Sequence, residues 1–312
     1  MVLFTVKEEF LSIQCNFNLN NDITNIHCGI KQGKKKQFRK NKKEYGKLSD
    51  HVGNYPVVMV SPADASLILD GGEERRKYMN GVISQYNRTY LEKTIQYTKV
   101  LTQRNKLLKD SFTGHFNEEL FDVYTEQLIP LGETIYQERK LFVEKLTPIF
   151  QHYYNTISDQ KELVAIEYRS NLDENSFEHL LKQTIRRDKS AQHTTNGIHK
   201  DDLELTLNGQ PMKRIASQGQ QKTFLVALKL AQFAFLKEIK NIDPVLLLDD
   251  IFDKFDEMRV KQILKLVASN DFGQIFITHH NQERMQDLLR DFDGHYSLFK
   301  VQNNEVENLS IN

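Results

Sequence analysis

The order of apolar and polar residues predicts a β-rich start to the chain. Apolar and polar positions alternate over residues 10–30, and an Asn-Asn-Asp turn interrupts them at residues 20–22. Alternation with a period of two is typical of strands that bury one face, so this part is predicted to be a β meander. The apolar run at residues 56–60 predicts a short buried strand, which Ser61 and Pro62 end.

A helical pattern takes over in the middle of the chain. Apolar residues recur every three or four positions from residue 73 to about residue 154, as expected for amphipathic helices. Gly114 and its neighbours divide this part into two long helices, which we expect to form an antiparallel pair. A strand at residues 164–168 and a helix at residues 177–188 are predicted to follow.

Strands and helices alternate in the last third. A strand at residues 203–207 ends in Asn-Gly, a strong hairpin signal. Helices at about 220–239 and 258–268 then alternate with the apolar strands 245–248 and 274–278. Fully apolar strands that alternate with helices predict a parallel sheet covered on both faces.

These patterns together predict an α/β head that is split by an inserted helical lobe. We expect a β-rich part of the head at residues 1–61, the helical lobe at 62–188, and the remainder of the head at 189–312.

Composition narrows the class of protein. The 312 residues are 39% hydrophobic and 27% charged, which is typical of a soluble globular protein. No apolar run is long enough to cross a bilayer, and residues 1–10 lack the order of a signal peptide. Cys15 and Cys28 lack the spacing of a disulfide framework or a zinc site. We therefore expect a cytoplasmic protein without a membrane partner.

Net charge is zero, but one segment is strongly basic. Between Lys31 and Lys47 the chain has nine Lys or Arg residues and one acid, Glu44. Lys and Arg can displace counterions from a nucleic-acid backbone, whereas a solvated hairpin is the simpler interpretation. Composition does not choose between the two. The candidate DNA-binding residues are Lys34, Lys35, Lys36, Arg39, Lys40, Lys42 and Lys43.

Two adjacent carboxylates follow the apolar strand at residues 245–248. This is the arrangement of a Walker B motif, in which Asp249 would lie beside the Mg²⁺ of a nucleotide and Asp250 would deprotonate the attacking water. The alternative is a buried strand whose aspartate caps the next turn.

Two further motifs flank this strand at suitable distances. Ser217, Gly219 and Gln220 open a helix that begins 32 residues before Asp249, and a helix N-terminus can bind a phosphate. Alone, Ser217 would be read as an ordinary helix N-cap.

His279 and His280 follow the strand at residues 274–278, and His279, 30 residues after Asp249, could contact a γ-phosphate. A surface histidine pair or ligands for an adventitious metal are the alternatives. Asp256 stands where ATPase heads of the ABC type have their D-loop. The order of these motifs predicts an ATPase head.

The chain resembles the RecF family of bacterial DNA-repair proteins, whose heads are of the ABC/SMC type. The resemblance extends from Pro62-Ala63-Asp64 and Arg75-Arg76 through residues 101–109 and 197–203 to the motifs above, and it is most like RecF from the Bacteroidetes. It implies a DNA replication and recombinational repair protein that binds ATP with Mg²⁺ and forms an ATP-dependent homodimer. It also implies binding to DNA junctions or gaps, slow ATP hydrolysis, and recombination mediator proteins as partners that load recombinase.

By position in the family, Asp249 would hold Mg²⁺ and Asp250 would act as general base. Ser217 and Gly219 would reach the nucleotide of the partner copy, with Gln220 and Asp256 close to it. The family motif that contains His199 and Lys200 is present, but its role is left open.

The sequence departs from the family in two places. His279-His280 replaces the usual Thr or Asp-Thr, so the role of His279 comes from ABC proteins generally. The Walker A loop of the family is missing. The most similar segment, from Gly29 to Lys35, has three residues between its glycines where the motif has four, and it lacks a Ser or Thr after the lysine. We therefore expect ATP and Mg²⁺ to bind only with the missing N-terminal segment, and the chain alone to be inactive.

Two functions from different classes remain. The first is an ATP-gated repair clamp that has lost its N-terminus through a late start codon or truncation. The second is a non-catalytic DNA-binding or scaffold protein that has discarded nucleotide binding. An in-frame Gly-rich loop upstream would favour the first, and a stop codon would favour the second.

Overall fold

The computed structural model describes residues 9–19, 21–111, 116–159, 162–252, 255, 257–268, 272–290, 296–302 and 305–309. The strands in these ranges are β1 Phe10–Leu19, β2 Asp22–Lys31, β3 Gln37–Lys40, β4 Lys43–Glu44, β5 Val57–Val60, β6 Val164–Arg169, β7 Asp202–Leu207, β8 Gln210–Pro211, β9 Val245–Asp249, β10 Ile275–Thr278, β11 Phe299–Gln302 and β12 Glu305–Asn308. The helices are α1 Ser66–Leu69, α2 Gly72–Tyr86, α3 Arg88–Asp110, α4 Glu118–Ser158, α5 Phe177–Ala191, α6 Met212–Ile215, α7 Gln218–Lys240, α8 Glu257–Ala268 and α9 Gln282–Arg290.

The predicted β meander is confirmed. Strands β1 to β4 form an antiparallel sheet in sequence order. Asn21 turns the chain between β1 and β2 with φ 65°, and Asn41 and Lys42 have φ 48° and 68° between β3 and β4. Two consecutive positive φ values give the backbone twist that a two-residue hairpin needs.

The predicted parallel sheet is also confirmed, with the order β10-β9-β5. The expectation that both its faces are covered is wrong for the described residues. Leu246 and Leu248 are buried, whereas Met59 on β5 is 44% exposed and Phe276 on β10 is 51% exposed. Burial therefore alternates along the strands, because the described helices cover one face more completely than the other.

The helical lobe has three long helices in place of the predicted two. Asn87 ends α2 and begins α3, since its side chain accepts a hydrogen bond from the Tyr90 backbone N at 2.9 Å. An Asn N-cap satisfies a free N–H of the new helix and so allows a sharp break inside a continuous helical pattern. Helix α4 packs along α3 and α7.

A third sheet pairs a strand of the helical lobe with two strands from the last third of the chain. Strand β6 pairs antiparallel with β7, and β7 pairs with β8 through the predicted Asn208-Gly209 turn, where φ is 51° and 72°. The boundary predicted at residue 188 stays a prediction, and the β6–β7 pairing crosses it. Buried residues from β5 to α8 form one continuous core.

Candidate functional site

The two carboxylates of the predicted Walker B motif lie at the edge where the parallel strands end. Asp249 is paired in register with Thr278, whose Oγ1 donates to Asp249 Oδ1 at 2.5 Å. The Asp250 backbone N donates to the Thr278 carbonyl at 3.3 Å. Asp250 has φ 48°, a left-handed conformation that Asp tolerates better than most residues. This turn directs the Asp250 carboxylate towards the residues that follow β10.

Both histidines after β10 contact Asp250. The Nδ1 atoms of His279 and His280 lie 3.3 and 3.2 Å from Asp250 Oδ1. The His279 side chain is only 1% exposed, whereas those of His280 and Asp250 are 65% and 42% exposed. The pKa of the Asp250 carboxyl is lowered, chiefly by its hydrogen bond with His280 and also by that with His279. Asp250 is therefore an ionised acceptor at neutral pH, as a general base must be.

Asp249 fits the role of a Mg²⁺ ligand. It presents carboxylate oxygens at the C-terminal end of a parallel strand, and oxygen is the ligand that Mg²⁺ prefers. Thr278 orients this carboxylate through its hydroxyl. The sequence analysis missed Thr278, although the parallel pairing of the two strand ends could have pointed to it.

The predicted signature loop forms a capping box at the start of α7. Ser217 Oγ accepts from the Gln220 backbone N at 3.3 Å, and the Gln220 side chain accepts from the Ser217 backbone N at 2.8 Å. Gln220 Nε2 also donates to Glu162 Oε1 at 3.0 Å. The N-cap interpretation of Ser217 is thus confirmed within one chain, and contact with a phosphate of a partner stays a prediction. A Cβ on Gly219 would lie 3.3 Å from Arg259 Nη1.

A small cavity of about 90 Å³ lies between α7 and the edge of the parallel sheet that carries Asp249 and Asp250 (the carboxylate edge). Lys222, one turn after the capping box, lines it together with Ser61, Asp250 and Phe255. The Lys222 Nζ lies 5.8 Å from the centre of the Phe255 ring. Asp256, the predicted D-loop residue, lies outside the described residues.

The basic segment is an exposed hairpin. All seven predicted DNA-binding cations are exposed on or beside β3 and β4, and no ion pair involving them is found in the described part of the chain. Gly33, with φ 71°, lies in the turn between the antiparallel strands β2 and β3. Because a strand and not a helix follows this turn, the segment from Gly29 to Lys35 does not have the form of a phosphate-binding loop.

The family motif around His199 is part of the buried structure. His199 Nε2 donates to the Thr194 carbonyl and Nδ1 accepts from Tyr97 Oη, both at 2.9 Å. Burial lowers the pKa of His199 to about 4, so the ring is neutral at pH 7. Gly197 has φ 130°, and a Cβ there would lie 2.8 Å from Tyr97 Oη. These contacts give His199 a structural role.

Comparison with known proteins gives a consistent result. No protein-family model matches the chain. The DNA replication and repair protein RecF of Bacteroides thetaiotaomicron is 51% identical over 276 residues, which are 88% of this chain and 74% of that protein. RecF of Parabacteroides distasonis is 46% identical over 300 residues, which are 96% of this chain and 81% of that protein.

Solved structures agree with the sequence comparison. A structure described as the recombination mediator protein RecF-ATP in the RecFOR pathway has a TM-score of 0.85 and 27% identity, and it covers 99% of this chain and 82% of its own. The Smc head domain of Pyrococcus furiosus, at 13% identity and a TM-score of 0.54, covers 97% of this chain and 77% of its own and shares the fold. Within the described ranges, no helix has the length and apolar character needed to span a membrane. The chain belongs to the RecF family of DNA replication and repair proteins, and its fold is that of an ABC/SMC-like head.

Proposed function

We propose that this protein is an ATP-dependent DNA-repair clamp that, together with a Walker A segment, binds Mg-ATP at the carboxylate edge and closes on DNA as a homodimer. The observation that carries the proposal is the meeting of Asp249, Asp250 and His279 where β9 and β10 end. The similar solved structure described as RecF-ATP supports ATP as the nucleotide. Its description as a recombination mediator supports mediator proteins and recombinase loading as the wider setting.

Each residue at this edge has a distinct proposed role. Asp249, held by Thr278, would hold Mg²⁺, which would supply positive charge to neutralise the phosphates of the nucleotide. Asp250 accepts the proton of the attacking water, because its carboxylate is ionised and partly exposed. His279 is buried beside Asp250 and positions that carboxylate.

The N-terminus of α7 is proposed to bind the nucleotide of the second copy. Ser217 and Gly219 lie where the free N–H groups and the dipole of a 23-residue helix favour an anion. Ser217→Arg should block ATP-dependent dimerisation, because a bulky cation would occupy the place of the phosphate.

The deciding experiment compares Asp250→Asn with unchanged Asp250 in a protein that carries a Walker A segment, because Mg-ATP is expected to bind only with that segment. Asn keeps the shape of the side chain but does not take a proton from water, so ATP should still bind while turnover falls by roughly 10²–10⁴-fold. The dimer should accumulate, as measured by light scattering with Mg-ATP. Asp122→Asn, an exposed acid on α4, is the matched control and should change neither quantity. Hydrolysis by Asp250→Asn at the normal rate would mean that the base is assigned wrongly.

The basic segment from the turn before β3 to the end of β4 is proposed to follow the DNA backbone without reading bases. Its cations are exposed, and Phe38 is half-buried against His51 with ring centres 5.2 Å apart, which leaves it poorly placed to stack on bases. Replacing Lys34, Lys35, Lys36 and Lys40 with Glu should weaken DNA binding for all sequences alike. The slope of log affinity against log salt should fall by roughly 0.9 per lost duplex contact.

A variant with the same change of charge elsewhere is the control for the hairpin. It carries Glu at the exposed lysines Lys99, Lys106, Lys109 and Lys145. If the salt slope of the hairpin variant is unchanged, this segment is a solvated hairpin that does not contact DNA. If a protein that carries the Walker A segment binds DNA but not Mg-ATP, the non-catalytic DNA-binding protein is favoured instead.

A further inference from the structure

One oxygen at the carboxylate edge has two imidazole nitrogens beside it. Asp250 Oδ1 lies 3.3 Å from His279 Nδ1 and 3.2 Å from His280 Nδ1. One potential ligand atom from each of the three residues lies within 4.8 Å of the other two. Strand β10 ends at Thr278, so the two adjacent histidines are not held on opposite faces of a strand and can approach the same carboxylate.

These separations match those between ligands that share one metal ion. Zinc–nitrogen and zinc–oxygen bonds of roughly 2.0–2.1 Å at a tetrahedral angle place neighbouring ligand atoms about 3.3 Å apart. The two Nδ1–Oδ1 distances therefore need little adjustment for a shared ion. The remaining ligand-to-ligand distance, within 4.8 Å, can close by rotation of the exposed His280 ring.

The donor set selects the kind of ion. Two imidazoles and one carboxylate suit Zn²⁺, Co²⁺ or Ni²⁺, whereas Mg²⁺ takes oxygen ligands such as Asp249. Three protein ligands leave one position of a tetrahedral site open, as in zinc sites that keep a water. Asp250 and His280 are partly exposed, so an ion can enter from solvent.

We propose that Asp250, His279 and His280 form a binding site for a divalent transition-metal ion, separate from the Mg²⁺ position at Asp249. The ion would bind the Asp250 oxygen that is proposed to accept a proton during ATP hydrolysis. Metal binding itself does not rest on the proposed ATPase, whereas a resulting inhibition of turnover would.

The test titrates the full chain with Co²⁺ in the absence of nucleotide. Tetrahedral Co²⁺ gives visible ligand-field absorption, and we expect it to saturate at one ion per chain and to disappear when Zn²⁺ is added. His280→Ala should weaken Co²⁺ binding by at least roughly 10–100-fold, the range that loss of a mere outer-shell partner produces. His280 is exposed, so this variant should fold normally, as checked by circular dichroism.

His179→Ala is the control, because His179 is an exposed histidine on α5 away from the three ligands. It should bind Co²⁺ as the unchanged protein does. The proposal is overturned if no absorption develops, or if His280→Ala and Asp250→Asn bind Co²⁺ with unchanged affinity. Mg-ATP binding is measured separately on metal-free protein, so failure of the metal site and failure of the proposed ATPase give different results.

Discussion

Two groups of carboxylates and basic side chains in this protein have opposite surroundings. Beside the helical lobe, Asp201 is buried and accepts hydrogen bonds from the lobe residues Arg139 at 2.7 Å, Tyr168 at 2.5 Å and Ser170 at 2.7 Å. At the carboxylate edge, Asp250 is 42% exposed and meets two histidines, of which His280 is 65% exposed. A carboxylate whose oxygens are satisfied inside the chain has little capacity left for a ligand. The buried group therefore holds the fold together, and the exposed group is where chemistry can occur.

A second buried ion pair, besides Arg139 and Asp201, also has its carboxylate oxygens satisfied within the chain. Arg104 on α3 and Asp188 on α5 are both fully buried, with Arg104 Nη1 2.9 Å from Asp188 Oδ2. Thr194 accepts from the same nitrogen at 2.6 Å, and the Thr195 backbone N donates to Asp188 at 2.9 Å. The pair thus joins two helices and the loop that leads to His199.

One substitution in each group tests this difference, with the largest expected effect on the free energy of unfolding. Asp188→Asn leaves the Arg104 charge buried without its counter-ion, and loss of one partner of a buried pair costs about 3–5 kcal/mol of unfolding free energy. Asp250→Asn is the same chemical change at an exposed position and should stay within about 0.5 kcal/mol. Urea unfolding at pH 7 measures both. Equal losses for the two variants would show that the edge is as structural as the lobe.

Burial of His199 should make the free energy of unfolding depend on pH, by roughly 3 kcal/mol for a pKa lowered from 6.5 to about 4. The unfolded chain protonates His199 below its ordinary pKa of about 6.5, whereas burial lowers the pKa of the folded ring to about 4. The unfolded state therefore binds more protons in this window. The free energy of unfolding should fall as pH drops from about 6.5 to 4, and this contribution should be lost entirely below pH 4.

His199→Gln should remove that part of the pH dependence, as measured by urea unfolding at pH 7.5 and at pH 5. His179→Gln changes an exposed histidine and should leave the slope as it is. A slope that is the same in all three proteins would assign the acid sensitivity to other groups.

The sequence predicted the carboxylate edge because its signals are local. An apolar strand that ends in Asp249, and another that ends before His279, must finish on the same side if the strands are parallel. The buried network had no such signal. Arg139 and Asp201 are 62 residues apart in the chain and Arg104 and Asp188 are 84 apart, so only the folded structure brings them together.

The break at Asn87 was missed for a related reason. A helical period continues across it, and a single capping residue changes the direction of the chain without changing that period. The exposed face of the parallel sheet was also missed, since four apolar residues in a row do not reveal whether one or both faces are covered.

The smallest expected effect separates the two roles of Ser217. Ser217→Ala removes the side chain that caps α7 and should cost about 1 kcal/mol of unfolding free energy. Ser217→Asp restores a good cap and should keep the stability. If Ser217 only caps the helix, Ser217→Asp should also keep ATP-dependent dimerisation.

We expect the opposite result for dimerisation, because a carboxylate at this place repels the phosphate of the partner's nucleotide. In a protein that carries the Walker A segment, light scattering with Mg-ATP should show dimers for Ser217→Ala and none for Ser217→Asp, although Ser217→Asp is the more stable variant. Ser176→Asp, at the N-cap of α5, is the matched control and should dimerise normally. If Ser217→Asp, the more stable variant, dimerises normally, Ser217 has only the structural role of capping α7. If Ser217→Asp does not dimerise although it is stable, Ser217 lies close to the partner's phosphate and belongs to the functional site with Asp250.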